Sequence, residues 1–292
     1  MNYIKFPNNF AELEDEISNY ETSKVVILPI PYEKTTTYIK GTSKGPQAIL
    51  EASRNMELYD EELDKDISEV GICTLDPLII DKEPEEMIND VSENVKKLLD
   101  GNKFPVIIGG EHSITPGIVK VISNKFTDLS ILQLDAHTDL REEYGGTKFS
   151  HACAMKRCLD ICKNIVQAGV RSLCSEEAAF IKKNKLKIFW AKDVFDNDGW
   201  FDEAISRLSE NVYITLDLDV FDPSILPSTG TPEPGGLRYY HVLKFLKKVF
   251  EEKNVVGFDI VELCPNEKDI SPDFMAAKVL YKMIGYKFDS EK

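Results

Sequence analysis

The chain has 292 residues, of which 42% are apolar, and its 50 acidic against 35 basic side chains give a formal charge of -15. This is enough apolar material for a sizeable folded core and argues against disorder. The acidic excess argues against nucleic acid or an anionic membrane surface as a partner and suits a small cationic ligand. The opening segment MNYIKFPNNFAELEDE has no apolar stretch of signal-peptide length. No run reaches the ~18 apolar residues of a membrane-spanning helix, so a cytoplasmic protein is expected.

Taken in chain order, short apolar runs alternate with helical patterns. KVVILPI (24–30) is the first run, and the region 62–83 is expected to add a further strand. Residues 84–100 place Met87, Val91, Val95, Leu98 and Leu99 on one stripe, which predicts an amphipathic helix. FPVIIGG (104–110), LSILQLD (129–135) and NIVQAGV (164–170) follow as strands, then a helix at 174–184 and a strand at LKIFWA (186–191). A helix at 198–209, the strand NVYITLDLD (211–219), a helix at 239–252, the strand NVVGFDIVE (254–262) and a helix at 272–285 complete the series. The runs are β-branched and nearly continuous, as strands buried on both faces should be. Repeated strand-then-helix order predicts one α/β domain over 1–292, with a central, mostly parallel sheet between two helical layers.

The six cysteines are Cys73, Cys153, Cys158, Cys162, Cys174 and Cys264. They form no C-x-x-C pair, and Cys158 and Cys162 read as one helix face. Free thiols in a reducing compartment fit this spacing better than a zinc site.

Ligands of such sheets bind beyond the carboxyl ends of the strands, so the residues that end each strand are informative. FPVIIGG runs into Glu111 and His112. LSILQLD ends on Asp135, followed by His137 and Asp139. NVYITLDLD ends on Asp217 and Asp219, and NVVGFDIVE ends on Glu262. Four strands thus deliver acids or imidazoles to one edge. Side chains at alternate positions project together, and so many carboxylates in one cleft repel one another unless a cation holds them. Two imidazoles and four carboxylates without a cysteine favour Mn²⁺ over structural zinc. Six side chains are more than one ion with a reactive water needs, and they suit two ions sharing carboxylates, for which hydrolysis is the natural chemistry. Of the four histidines, His112, His137 and His151 fall in or beside these motifs, and only His241 lies elsewhere.

The stretches GGEHS (109–113), DAHTD (135–139), SH (150–151), DLDVFDPS (217–224), STGTPEPGGL (228–237) and DIVE (259–262) resemble, in that order, the motifs of the ureohydrolases, the family of arginase and agmatinase. GTSKGPQAI (41–49) is similar to the family's G-x-x-x-GP-x-AI segment. The resemblance implies a three-layer α/β/α fold of the arginase/deacetylase kind and two Mn²⁺ per chain. It implies one ion held by His112, Asp135, Asp139 and Asp217, and a second by His137, Asp135, Asp217 and Asp219. Asp135 and Asp217 would then be shared. It further implies that Glu262 binds the guanidinium group, that Thr231 stands beside that acid, and that His151 transfers a proton. A carboxylate at Glu262 can accept two parallel N–H bonds, and an imidazole suits proton transfer at neutral pH. A homotrimer or homohexamer is implied as well. Two positions depart from the pattern. Glu111 stands where arginases commonly carry Asp, as in agmatinase-like members. Ala152 follows His151 where Gly is usual, and Gly reaches backbone conformations that Ala avoids.

The segment after DAHTD, LREEYGGTKF (140–149), lacks the Asn and Ser that the resemblance would associate with arginine's α-carboxylate and amine. TPEPGGL (231–237) is also more like agmatinase. Agmatine, cleaved to urea and putrescine as in polyamine biosynthesis, is therefore the expected substrate. Glu142, Glu143 or Tyr144 could face its free amine. Arg141 is expected to point outward and pair with nearby acids; pointing inward, it would favour a carboxylate-bearing substrate such as guanidinobutyrate or formiminoglutamate. Two other classes fit less. A phosphotransferase of the haloacid dehalogenase type would use the D-x-D of VYITLDLDV but leave His112, His137 and DAHTD without a role. A metal-bound scaffold without turnover would not need the full set of residues.

Overall fold

The computed structural model describes residues 1–289. Its strands, in chain order, are β1 (Tyr3–Ile4), β2 (Val25–Ile30), β3 (Tyr59–Asp60), β4 (Lys65–Asp66), β5 (Ile72–Leu75), β6 (Phe104–Gly109), β7 (Leu129–Leu134), β8 (Asn164–Val170), β9 (Ile188–Trp190), β10 (Asn211–Asp217) and β11 (Asn254–Val261). Nine of them form one sheet in the order β1-β5-β2-β6-β11-β10-β7-β8-β9, and β3 and β4 make a separate hairpin. Every pairing in the large sheet is parallel except β1 with β5. The apolar runs become strands for the expected reason: β2, β6 and β7 are buried at every position, and only strands covered on both faces bury both sets of alternating side chains.

The two covering layers are chemically separate. Helices 45–53, 201–206, 239–252 and 271–289 pack on one face, around Phe245, Leu246, Leu280 and Ile284. Helices 84–100, 115–125 and 154–161 cover the other, around Val91, Ile118 and Met155. The stripe Met87, Val91, Val95, Leu98 and Leu99 is buried as its spacing predicts. Helices 84–100 and 239–252 have the predicted bounds, 198–209 shrinks to Phe201–Ser206, and the strand expected within 62–83 is Ile72–Leu75.

Strand order positions the site. β6, β11, β10 and β7 are consecutive neighbours in the middle of the sheet and all point the same way. Residues just past their carboxyl ends must therefore meet, although they are up to 150 positions apart in sequence. Gly110 lets another segment join them. A Cβ there would lie 2.2 Å from the Tyr32 carbonyl oxygen, so the backbone after β6 can run against the backbone after β2 only without a side chain. Gly110 N–H donates to Ile30 O and Glu111 N–H to Tyr32 O, both at 2.9 Å, which carries the β2–β6 ladder into the loop at 31–37. Among the described residues no helix is long and apolar enough to cross a membrane.

Candidate active site

His112 begins a short 3-10 turn after β6, Asp135 to Asp139 follow β7, Asp217 closes β10 with Asp219 in the turn beyond, and Glu262 follows β11. His112 Nδ1 lies 3.0 Å from Asp139 Oδ2, 3.2 Å from Asp135 Oδ2 and 3.4 Å from Asp217 Oδ2. His137 Nδ1 lies 2.8 Å from Asp219 Oδ2 and 3.6 Å from Asp135 Oδ1. Two groups with metal-ligand spacing result, His112–Asp135–Asp139 and Asp135–His137–Asp219, and Asp135 belongs to both. Asp217 reaches the first group through Oδ2, while its Oδ1 accepts the Asp219 N–H at 2.9 Å.

These side chains fit a cation better than they fit one another. His112 Nδ1 is buried beside three carboxylate oxygens yet is aligned for a hydrogen bond with none of them. A buried polar atom left in this way is costly unless a further group satisfies it. Its other nitrogen, Nε2, is 2.8 Å from Thr215 Oγ1, which donates to Asp259 Oδ1 at 2.6 Å. Tyr213 and Thr115 hydroxyls donate to Asp259 Oδ2 at 2.7 and 3.0 Å. That chain fixes the ring and leaves Nδ1 for the cluster.

The crowded acids shift one another. Burial, then the Asp135 charge, pushes Asp139 up to about 6. Burial, then Asp219 and Asp135, raises Asp217 well above the carboxylate range, and burial followed by Glu111 does the same to Glu262. Burial also opposes charge on Asp135, but His112 and His137 outweigh it and hold that carboxylate low. Burial resists a charge on His112 too, and the contacts with Asp135, Asp139 and Asp217 overcome it.

Two of the acids gathered at the site have positive φ, Asp139 at 51° and Glu262 at 67°. Such residues cost of order 1 kcal/mol or more and gather at functional sites. Glu262 N–H donates to Gly110 O at 2.8 Å, and its Oε1 accepts the His112 N–H at 2.7 Å. A Cβ on Gly230 would approach Glu262 Oε2 to 3.5 Å, which places the turn before Thr231 against that carboxylate.

Above this floor lies a cavity of about 260 Å³, walled by His112, His137, Asp139, Asp217, Asp219 and Glu262 below and by Thr37, Tyr144, His151, Glu177 and Thr231 around them. All nine expected site residues are thus gathered here, Asp135 being buried beneath the floor. Ala152 sits in the 3-10 turn His151–Cys153 and outside the left-handed region, so no glycine is required there. The expectation for 142–144 needs correction. Glu142 turns outward to Arg157 at 2.9 Å and Lys156 at 3.2 Å, Glu143 is exposed, and only Tyr144 lines the cavity. Arg141 does pair with an acid, Glu177, at 3.9 Å, but it stacks 4.7 Å over the Tyr144 ring and forms part of the wall instead of pointing away.

A match to the arginase family extends over residues 23–285. The chain belongs to the arginase family. It is an enzyme, a hydrolase of the ureohydrolase type. It is 39% identical to the N(1)-aminopropylagmatine ureohydrolase of Synechocystis sp., over 98% of this chain and 96% of that protein. It is 36% identical to the agmatinase of Pyrococcus horikoshii, over 89% and 90%. The crystal structure of the agmatine ureohydrolase of Thermoplasma volcanium superposes with a TM-score of 0.87 at 32% identity, over 97% of this chain and 94% of that one. The arginase-family fold and the three-layer architecture expected from the sequence are therefore the observed ones.

Three further residues brace this arginase-family site, Glu111 from within a motif and Glu177 and Arg171 from outside the motifs. Glu111 is a hub. Its Oε2 accepts the backbone N–H groups of Thr35, Lys34 and Thr36 at 2.7, 2.8 and 3.2 Å, and its Oε1 accepts the Thr35 and Ser113 hydroxyls at 2.8 and 2.5 Å. Glu177 accepts from Thr138 Oγ1, Leu140 N–H and Cys174 N–H, and so joins the post-β7 loop to the start of helix 175–184. Arg171 donates to the carbonyls of Asp219 and Glu233 at 2.6 and 2.8 Å and ties those loops together. The sequence signal for Glu177 was its spacing three residues after the start of a helix. Arg171 carried none.

Proposed function

We propose that this enzyme hydrolyses the guanidinium group of agmatine or a close amine-extended derivative, and that two divalent ions, Mn²⁺ by the donor set, are its cofactors. The observation that carries this reading is the pair of ligand groups joined by Asp135, with Glu262 beside them on the neighbouring strand end. His112, Asp135, Asp139 and Asp217 would hold one ion, and His137, Asp135 and Asp219 the other, with Asp217 within reach as a second shared acid. Bound there, the ions would supply a water acidic enough to act as a nucleophile near neutral pH.

The chain's own residues do the rest. Glu262 takes two N–H groups of the guanidinium and turns its carbon toward the two ligand groups joined by Asp135. Gly230 lies against that carboxylate, and Thr231 lines the same cavity. A C–O bond forms at the guanidinium carbon and the C–N bond to the alkyl nitrogen breaks. Urea leaves, and both protons of the water finish on the departing amine. His151 carries a proton on that path. Burial disfavours the charged form of its imidazole, so it rests neutral, with a ring nitrogen whose lone pair can take a proton in passing.

The cationic chain suits the wall. Arg141 is matched by Glu177, and the protein's negative charge draws cations toward it. Relatives named for agmatine and for N(1)-aminopropylagmatine support the same guanidinobutyl unit with different tails. A second reading rests on Arg141 in the cavity wall, which could meet a carboxylate such as that of guanidinobutyrate.

The test is urea release by the Mn²⁺-loaded enzyme from agmatine, N(1)-aminopropylagmatine, guanidinobutyrate and arginine side by side. Turnover of one of the first two, with little from the acids, is expected. Preference for guanidinobutyrate or arginine would keep the site and reverse the substrate reading. Glu262→Ala should keep its metal and lose kcat/KM by ~10²-fold, in the range of the ~2–5 kcal/mol cost of unpairing a buried charge. Unchanged kinetics would remove Glu262 from guanidinium binding.

A further inference from the structure

The loop after β2 holds a hydrogen-bond chain that the motifs do not contain. Thr35 Oγ1 is 3.0 Å from His151 Nδ1 and accepts the His151 backbone N–H at 2.9 Å. The same hydroxyl donates to Glu111 Oε1 at 2.8 Å. Ser150 Oγ stands farther from the ring nitrogen, at 3.3 Å. Tyr144 meets the ring edge-on, with centroids 5.9 Å apart at 87°.

A threonine hydroxyl has one proton to give. Glu111 already accepts three backbone N–H groups and the Ser113 hydroxyl, so it meets Thr35 as an acceptor. The Thr35 proton is then committed to Glu111, and its oxygen can only accept from the imidazole. His151 must carry its hydrogen on Nδ1, and Nε2 is the ring nitrogen left with a lone pair for the cavity it lines.

We propose that Thr35 is the positioning residue for His151: through Glu111 it selects the Nδ1–H tautomer and fixes the ring, leaving Nε2 ready to take a proton. This rests on the reading of His151 as the proton carrier. Glu111 therefore has a role besides bracing the loop: it sets the direction of a hydrogen-bond chain that ends on the imidazole.

Thr35→Val removes the hydroxyl and with it both contacts to His151, ring and backbone N–H, while the loop keeps its backbone N–H bonds to Glu111 Oε2. The experiment compares kcat, KM and bound Mn²⁺ for wild type, Thr35→Val, Thr35→Ser, His151→Ala and the Thr35→Val/His151→Ala double variant, with Thr35→Ala as a second hydroxyl deletion if Val disturbs the loop. His151→Ala should lower kcat by ~10²-fold with metal retained. Thr35→Val should lower kcat by ~10–100-fold, as loss of a group that orients a functional histidine does, with KM within about twofold. Thr35→Ser should restore most of the rate. In the His151→Ala background Thr35→Val should have no further effect, since residues acting as one unit are not additive.

Equal losses in both backgrounds would mean that Thr35 acts through the loop and would overturn the proposal, as would a Thr35→Val enzyme with wild-type kcat. A His151→Ala enzyme of normal turnover would instead remove the proton-carrier reading, and the role of Thr35 with it. A slow His151→Ala beside an unaffected Thr35→Val would remove Thr35 alone.

Discussion

Two buried polar clusters in this protein answer the same physical problem in opposite ways. Near the C-terminal helix, Lys282 is almost fully buried with its Nζ 3.0 Å from Asp60 Oδ2, 3.2 Å from Glu62 Oε2 and 3.4 Å from Glu61 Oε1. Asp60 Oδ1 also accepts the Glu62 and Leu63 N–H groups, and Tyr286 donates to Glu62. Burial works against the charge on Lys282, but Asp60 and Glu62 raise its pKa in spite of it. There the chain brings its own cation, and the cluster staples the β3–β4 hairpin to helix 271–289. At the strand ends the acids meet imidazoles instead, and His112 Nδ1 faces three of them without a hydrogen bond. A cluster that holds its own buried lysine is structural, whereas one in which four carboxylates meet two imidazoles under a cavity could hold an outside cation.

Breaking each cluster separates these roles. Asp135→Asn removes the carboxylate common to both ligand groups. It should lose metal and urea release together, by more than the ~10–100-fold typical of residues one layer out. An Asp135→Asn protein with two ions and normal turnover would take Asp135 out of the site. Lys282→Met leaves Asp60 buried and unpaired, so urea melts should show a loss of ~3–5 kcal/mol, with metal content unchanged in the folded protein.

A third buried acid has neither solution. Asp273 Oδ1 has no hydrogen-bond partner among the described residues, and burial, then the Asp269 and Glu51 charges, pushes its carboxyl up to about 6. The folded state binds this proton more tightly than the unfolded chain, so stability is full below the ordinary value of 3.8 and falls as pH rises through about 6. Asp273→Asn should raise the melting temperature at pH 7.5 but not at pH 4, by an amount worth about 1 kcal/mol or less, because the helix N-terminus offsets part of the penalty. Equal effects at both pH values would exclude its titration as the cause. The smallest effect belongs to Glu142, exposed and spread over Lys156 and Arg157. Glu142→Gln should change stability by under ~1 kcal/mol and leave KM for agmatine unaltered. A raised KM would bring that acid back to the substrate.

The same contrast explains what could be read from the chain. Strands such as β6 and β7 are legible because burial on both faces demands continuous apolar runs, and the acids that end them are legible because they interrupt that rule. Helix 115–125 is not, since Thr115, Pro116 and Gly117 open it and β-branched Ile118, Val119 and Ile122 fill its buried face. The Lys282 cluster is invisible in sequence, because Asp60 and its partner lie 222 residues apart and nothing local marks either one. Thr35 is hidden for the same reason, 116 residues from His151. Glu111 stood inside a legible motif, but the motif gave its identity and not its five donors. Glu142 misled because charge beside a motif says nothing of direction; only the placement of Lys156 and Arg157 on helix 154–161 decides it.

The backbone zipper between Gly110, Glu111 and the segment after β2 has a consequence for how substrate is captured. The rim up to Thr36 is tied to a buried sheet, through Tyr32 O to the Glu111 N–H and through the Lys34, Thr35 and Thr36 N–H groups to the Glu111 carboxylate, so this part is already ordered before anything binds. A ligand entering this cavity then forfeits its own freedom and little of the protein's. Capture becomes a matter of encounter and fit, with long-range attraction setting how often a polyvalent cation arrives. The arrival rate should accordingly fall as salt is added, while the shape of the rim stays as the β2–β6 ladder has set it.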